Sequence, residues 1–260
     1  MPRLSRIIAR SIAETAALAR SGATPRAGLR VLMYHSVGST ATGDTLGIYG
    51  IAPELFTAQM AALRAHADLA PVSLAPGATS PQRTRVAVTF DDGYRDNLTR
   101  AAPLLQHLQI PFTVFVCSGF IGDASGNFLS TAELRELAGL PGVSVGSHGA
   151  THAALTGLDD EALRRELVTS KAALEDLTGR PVDSISYPHG AVDRRVRDAA
   201  AVAGYRIGAC SRFDINDAAR DPLLLCRTDI HGNDSVRVFE QKLRGDWDWY
   251  RWRSTDPAMS

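Results

Sequence analysis

The chain has 260 residues, 45% hydrophobic and 22% charged, a globular composition that excludes a disordered tail protein and suffices for one large domain or two small ones. Lysine plus arginine number 28 and aspartate plus glutamate 28, so the formal charge is zero and no positive field is offered to nucleic-acid phosphates. Three cysteines, Cys117, Cys210 and Cys226, form no CxxC. They argue against a disulfide scaffold or a cysteine-built zinc site and make a reduced compartment the expectation.

Taken in chain order, residues 1–28 form an amphipathic N-terminal segment. Residues 1–30 hold Arg3, Arg6, Arg10, Arg20, Arg26 and Arg30 against a single acid, Glu14, with Leu4, Ile7, Ile8 and Ile12 on one helical face. A helix packed on the domain, a membrane-surface helix and an organellar transit peptide all fit this pattern. It lacks the apolar core of a secretory signal, and no apolar run approaches the roughly 18 residues of a membrane span. The expected location is therefore cytoplasmic, with peripheral contact at the inner membrane face left open.

A strand is expected at 29–34 (LRVLMY), then the longest unpatterned stretch, 36–52, and a helix opened by Pro53 with Phe56, Met60 and Leu63 on one face. Further strands are expected at 85–90 (RVAVTF), 112–117 (FTVFVC), 143–146 (VSVG), 182–187 (VDSISY), 205–210 (YRIGAC) and 223–228 (LLLCRT). Between them, Ser130 and Glu133 have capping-box spacing ahead of Leu134 and Leu137. A helix is expected over about 159–178, with Leu163, Leu167, Leu174 and Leu177 on its buried face and Glu161 paired to Arg165 outside. Residues 118–129 form the second long loop; long loops are mobile surface or substrate lids. No linker divides 29–245, which reads as one catalytic domain, and 246–260 is an aromatic-rich C-terminal segment. Its Trp247, Trp249 and Trp252 either cover an open side of the fold or, with Tyr250, Arg251 and Arg253, form a membrane-interface patch.

Alternating strands and helices imply parallel strands with right-handed crossovers, in an open sheet or a barrel. Of seven histidines, His66 and His107 lie in helical patterns, whereas His35, His148, His152, His189 and His231 follow strands, as does the pair Asp91 and Asp92. Parallel strands present catalytic groups at their C-terminal ends, and a closed sheet gathers those ends around a circle, so a barrel is preferred. Asp91-Asp92-Gly93 alone could be a simple turn. His148 and His152, at i and i+4 in a short turn of helix, can share a divalent ion. An acid from another strand end completes a two-His, one-carboxylate set with open positions, as in catalytic metal sites.

These residues resemble the polysaccharide deacetylase family, the NodB-homology carbohydrate esterases, of the bacterial exopolysaccharide-associated type. Residues 89–93 (TFDDG) look like its first motif and 147–152 (SHGATH) like its second. Residues 187–190 (YPHG) are similar to the third, and Asp229-Ile230-His231 resembles the last. Residues 32–37 (LMYHSV) resemble the opening strand. The resemblance covers about 29–250 and implies an α/β fold, a distorted (β/α) barrel of about seven parallel strands. It also implies metal-dependent hydrolysis of an N-acyl group, usually acetyl, on an amino sugar of a glycan or of a lipid- or nucleotide-linked precursor. Zn²⁺ is the implied ion, with Co²⁺, Ni²⁺ or Mn²⁺ as alternatives. Carried over by residue, Asp92, His148 and His152 hold the metal, Asp91 is the catalytic base and His231 the catalytic acid, with Asp229 or Asp214 as its charge partner. Tyr187, Pro188, His189 and His35 fall at oxyanion or substrate-binding positions, the backbone N–H of His189 being the oxyanion donor. Ser186 and His189 depart from the third motif's Arg and Tyr, so the arginine that orients the base is expected elsewhere, at Arg212. The fourth motif's Asp is loosely matched by Asp214 or Asp217. A hydrolase of another small amide, such as a formyl sugar or cyclic ureide, and a non-catalytic glycan-binding barrel remain as alternatives.

Overall fold

The computed structural model describes residues 12–15 and 26–259. Strand β1 (Gly28–Tyr34) is followed by β2 (Ser36–Val37) and β3 (Gly50–Ile51), which pair with each other, and by helix α1 (Pro53–Ala65). The chain continues through β4 (Leu69–Pro71), β5 (Thr84–Phe90), α2 (Ala102–His107), β6 (Phe112–Val116) and α3 (Thr131–Gly139). It then forms β7 (Val143–Ser147), α4 (Asp160–Thr178), β8 (Ser184–Ser186), α5 (Arg194–Val202), β9 (Ile207–Ala209), β10 (Thr228–Asp229) and α6 (Val236–Arg244).

The main sheet is parallel, in the order β10-β1-β5-β6-β7-β8-β9, with β4 beside the first half of β5. Leu225 makes a parallel bridge to Ala209 of β9, and Thr228 pairs with Leu32 of β1. Residues 225–229 thus reach from β9, at one end of the sheet, to β1, where they form the other end as β10, and the sheet curls into the expected distorted (β/α) barrel. The expected strand over 223–228 forms only in part. Pro222 opens a 3-10 turn that Asp221 caps through the Leu223 N–H, so regular pairing to β1 begins at Thr228.

Period-2 alternation sorts the strands into two faces. Leu32, Tyr34, Val86, Val88, Phe90, Phe112, Val114 and Val116 join the main core against the helices. Leu29, Val31, Ala87, Phe115, Ile207, Ala209 and Leu225 form a separate cluster on the opposite face, inside the barrel. The helix boundaries follow their caps. Ser130 and Glu133 form the expected capping box, Pro53 sits in the first turn of α1, and Asp159 caps α4, which Gly179 ends at φ 64°.

The C-terminal segment packs on the body. Arg30, buried on β1, holds Asp248 through two hydrogen bonds of 2.9 and 3.0 Å, and Trp247 is buried against Ala13, Phe213 and Val238. Trp252 is 77% exposed, so the three tryptophans do not act as one cover. Of the amphipathic N-terminal pattern, Leu4, Ile7, Ile8 and most of the arginines lie outside the described residues. No helix among the described residues is long and apolar enough to cross a membrane.

Candidate active site

The strand ends bring Asp91, Asp92, His148 and the 186–189 turn together, with His35 and the Asp229–His231 pair beside them. Asp91 continues the β5 ladder, its N–H donating to Tyr34 O at 2.9 Å. Its side chain meets Arg227, whose Nη1 and Nη2 donate to the two carboxylate oxygens at 2.7 and 2.8 Å. Ser186 Oγ donates to the same carboxylate at 3.1 Å and accepts from Arg227 Nη2 at 2.8 Å. Arg227 Nε donates to Cys210 O at 2.9 Å, and the guanidinium lies 5.9 Å over the Phe115 ring. Burial works against the charge on Asp91, but the Arg227 cation and then His148 hold its carboxyl below the usual carboxylate range. The orienting arginine is therefore Arg227. Arg212 instead turns to the C-terminal segment, bonding Arg251 O at 3.1 Å and pairing with Asp256 at 3.3 Å.

Asp92 has φ 72° and Gly93 φ 80°, a left-handed turn that stops the strand; a Cβ on Gly93 would lie 3.0 Å from Val116. Asp92 Oδ1 is 3.4 Å from His148 Nε2 and 3.3 Å from His152 Nε2, and it is buried without a hydrogen-bond partner. Burial opposes its ionisation, yet the two imidazoles hold its carboxyl well below the usual range. Each of the three residues offers a ligand atom within 4.8 Å of the others. A tetrahedral ion with bonds of about 2.0–2.1 Å sets neighbouring ligand atoms roughly 3.3–3.4 Å apart, so an orphaned carboxylate oxygen at these two distances fits a divalent metal. His148 Nδ1 donates to Ser186 O at 2.7 Å, leaving Nε2 as the ligating nitrogen.

The 148–152 loop is not the expected turn of helix. Gly149 and His152 are left-handed, at φ 76° and 63°, and this path rather than helical i, i+4 geometry aims both rings at Asp92.

His231 Nε2 bonds Asp229 Oδ2 at 2.7 Å, and its backbone N–H donates to Asp234 at 2.8 Å. Lys242 of α6 donates to both Asp229 O and the Asp234 carboxylate. The Asp229 carboxyl is held near a pKa of about 2: burial pushes it up, but His231, His35 and Lys242 outweigh burial. Asp214 is not the partner of His231, since it pairs with Arg26 and Arg251, and Asp217 caps its own loop.

Tyr187 is buried in the main core, its hydroxyl donating to Leu223 O at 2.8 Å, so its side chain is committed away from the site. Pro188 is buried beside it. His189, left-handed at φ 58°, stacks edge-on against His152 at 4.5 Å, and its Nε2 donates to His152 O at 3.2 Å. Burial and the His152 charge push the His189 imidazole pKa down. His35 packs on Tyr49 at 4.5 Å, and its Nδ1 is buried without a partner.

The two long loops, together with Tyr94 just beyond β5, supply an aromatic wall that the sequence did not announce. Tyr49 lies between His35 and His231, while Tyr94, Phe128 and Phe120 stack in series up to His152. Next to His231 is a cavity of about 370 Å³, bounded among others by Tyr49, Phe213, Trp247, Tyr250 and Asp229.

A family model described as polysaccharide deacetylase matches residues 78–208. The curated protein YxkH of Bacillus subtilis (strain 168), whose name assigns it to the polysaccharide deacetylases, is 31% identical over 185 residues. That match covers 69% of this chain and 63% of YxkH, so the chain spans less than two thirds of that relative's length. Among solved structures, the polysaccharide deacetylase BC0361 from Bacillus cereus superposes with a TM-score of 0.72 at 29% identity. BA0330 from Bacillus anthracis, named for the same activity, gives 0.73 at 27%. Both cover 83% of this chain and 69% of their own.

Proposed function

Because the chain belongs to the polysaccharide deacetylase family, we propose that it hydrolyses an N-acyl group, by preference N-acetyl, on an amino sugar of a glycan or glycan precursor. The observation that carries this reading is the Asp92, His148 and His152 set standing beside a second, separately clamped carboxylate, Asp91. A divalent ion on that set, Zn²⁺ or one similar, would polarise the amide carbonyl and lower the pKa of water toward ~7.

The protein's residues supply the rest. Asp91, kept ionised by Arg227, accepts the proton of the attacking water, which the remaining lone pairs of its oxygens allow. The backbone N–H of His189 is the donor for the oxyanion. An amine leaves poorly unless protonated, and His231 delivers that proton. Its Nε2 is bound to Asp229, so the proton given up is the one on Nδ1. The aromatic cavity beside His231 then has room for the sugar on the amine side of the bond.

The test is amine release from a panel of acetylated amino sugars and their oligomers, using metal-stripped protein and protein reloaded with Zn²⁺. Release that needs the ion and is lost in Asp91→Asn supports the reading. Equal release from stripped and reloaded protein would sink it.

A further inference from the structure

We propose that Glu166, on helix α4, is the positioning residue that gives the 148–152 loop its metal-binding shape; this rests on the metal-site reading above. The loop must pass through two left-handed residues, Gly149 and His152, to aim both imidazoles at Asp92. It does so without helical hydrogen bonds, and two neighbours, the 118–119 turn and helix α4, bind the stretch between the two histidines. The carbonyls of Gly149 and Ala150 accept from the N–H groups of Ser118 and Gly119 at 3.1 and 2.8 Å. The N–H groups of Ala150 and Thr151 both donate to Glu166 Oε2, at 2.7 and 3.0 Å, and the Thr151 hydroxyl donates to Oε1 at 2.6 Å.

One buried carboxylate thus binds two of the three residues lying between the candidate ligands, Ala150 and Thr151. It approaches so closely that a Cβ on Gly149 would lie 3.2 Å from Oε2. Ser170, one turn further along α4, receives the Ser147 hydroxyl at 2.8 Å, and Ser147 Oγ accepts the Gly149 N–H at 3.1 Å. Glu166 touches neither imidazole, so its action is on the backbone that carries His152. A carboxylate is the suitable acceptor because charge-assisted hydrogen bonds are roughly twice as strong as neutral ones and its two oxygens can serve three donors.

The experiment measures the dissociation constant of Zn²⁺ by chelator competition, and the visible spectrum of the Co²⁺ form, for the parent chain, Glu166→Gln and Glu166→Ala. Outer partners of metal ligands are worth ~10–100-fold in affinity, and that loss is expected for Glu166→Ala together with an altered Co²⁺ spectrum. Glu166→Gln keeps the shape but loses the charge, and a loss of about three- to tenfold is expected. Leu163→Ala on the same helix face is the stability control: it should lower Tm while leaving Zn²⁺ affinity within about twofold of the parent. Zn²⁺ affinity unchanged in Glu166→Ala, or in Glu166→Gln should the alanine variant not fold, overturns the proposal. An equal loss of affinity in Leu163→Ala overturns it too. A parent chain that binds no Zn²⁺ defeats the metal-site reading itself, a separate outcome.

Discussion

Replacing Arg227 by Met tests how the barrel interior holds Asp91. The guanidinium is fully buried and the Asp91 side chain is 3% exposed, so neither charge can turn to water when its partner goes. The substitution removes two of the three hydrogen bonds to the carboxylate and leaves only Ser186, while the Cys210 carbonyl also loses its donor. Removing one member of a buried pair costs about 3–5 kcal/mol, because the remaining charge keeps its desolvation penalty without the attraction. Arg227→Met should therefore lower the unfolding free energy of the metal-free protein by that amount, and Asp91→Asn, which strands the cation, should also be costly. The double variant removes both charges and should lose at least ~2 kcal/mol less than the sum of the two. Urea unfolding of the four proteins gives this coupling from the midpoints and slopes. Effects that add to within ~0.5 kcal/mol would show that the two groups do not depend on each other and would refute the clamp.

The adjacent carboxylates should fail differently: Asp92→Asn should lose bound Zn²⁺ and activity together, whereas Asp91→Asn should keep the ion and lose the reaction, as elemental analysis beside an assay would show. The reverse pattern would exchange their roles. His231→Ala should lower kcat on an amide by ~10²-fold or more with the metal retained, and far less on an activated aryl ester whose leaving group departs without a proton. Equal losses on both would make His231 a wall of the pocket only. The Asp229 carboxyl drops from 3.8 to about 2, equivalent to about 2 kcal/mol. A depressed carboxyl stabilises above its unfolded pKa and ceases to do so as pH falls through the folded one, so the deficit of Asp229→Asn should be full at pH 7 and vanish between about pH 4 and 2. A deficit independent of pH in denaturation curves would mean that the charge on Asp229 is not what stabilises.

Apolar, β-branched runs were legible: β1, β5 and β6 fall within a residue or two of their expected bounds because parallel strands buried on both faces read as near-continuous apolar segments. The run at 223–228 was harder, since an apolar string does not disclose that a proline turn breaks it. The same run concealed Arg227, although a charged residue inside an apolar segment signals burial and hence a partner. Glu166 carried a similar signal, lying on the arc of α4 with Leu163, Leu167, Ser170 and Leu174, all buried. A carboxylate on that stripe must find donors, but nothing local says that they lie in the 148–152 loop. Tyr49 and Phe120 could not be read at all, because loops bring them to the site through contacts distant in sequence.

The backbone offers a last indication that the site is shaped against local preference. The non-glycine residues with positive φ among those described are Asp92, Gln109, His152 and His189, and three of these four meet at one point. Each costs roughly 1–2 kcal/mol relative to ordinary conformations, a cost that glycine would avoid. Asp92 and His152 cannot be glycine if they are to present ligand atoms. His189 is not one of the candidate set Asp92, His148 and His152, so its case needs another reason. Its Nε2 bond to the His152 carbonyl and its ring against the His152 ring give one, because they brace the end of the loop that Glu166 does not reach. The loop is thus fixed at Ala150 and Thr151 from α4 and at His152 from the 188–190 turn, with the strained residues where side chains are needed.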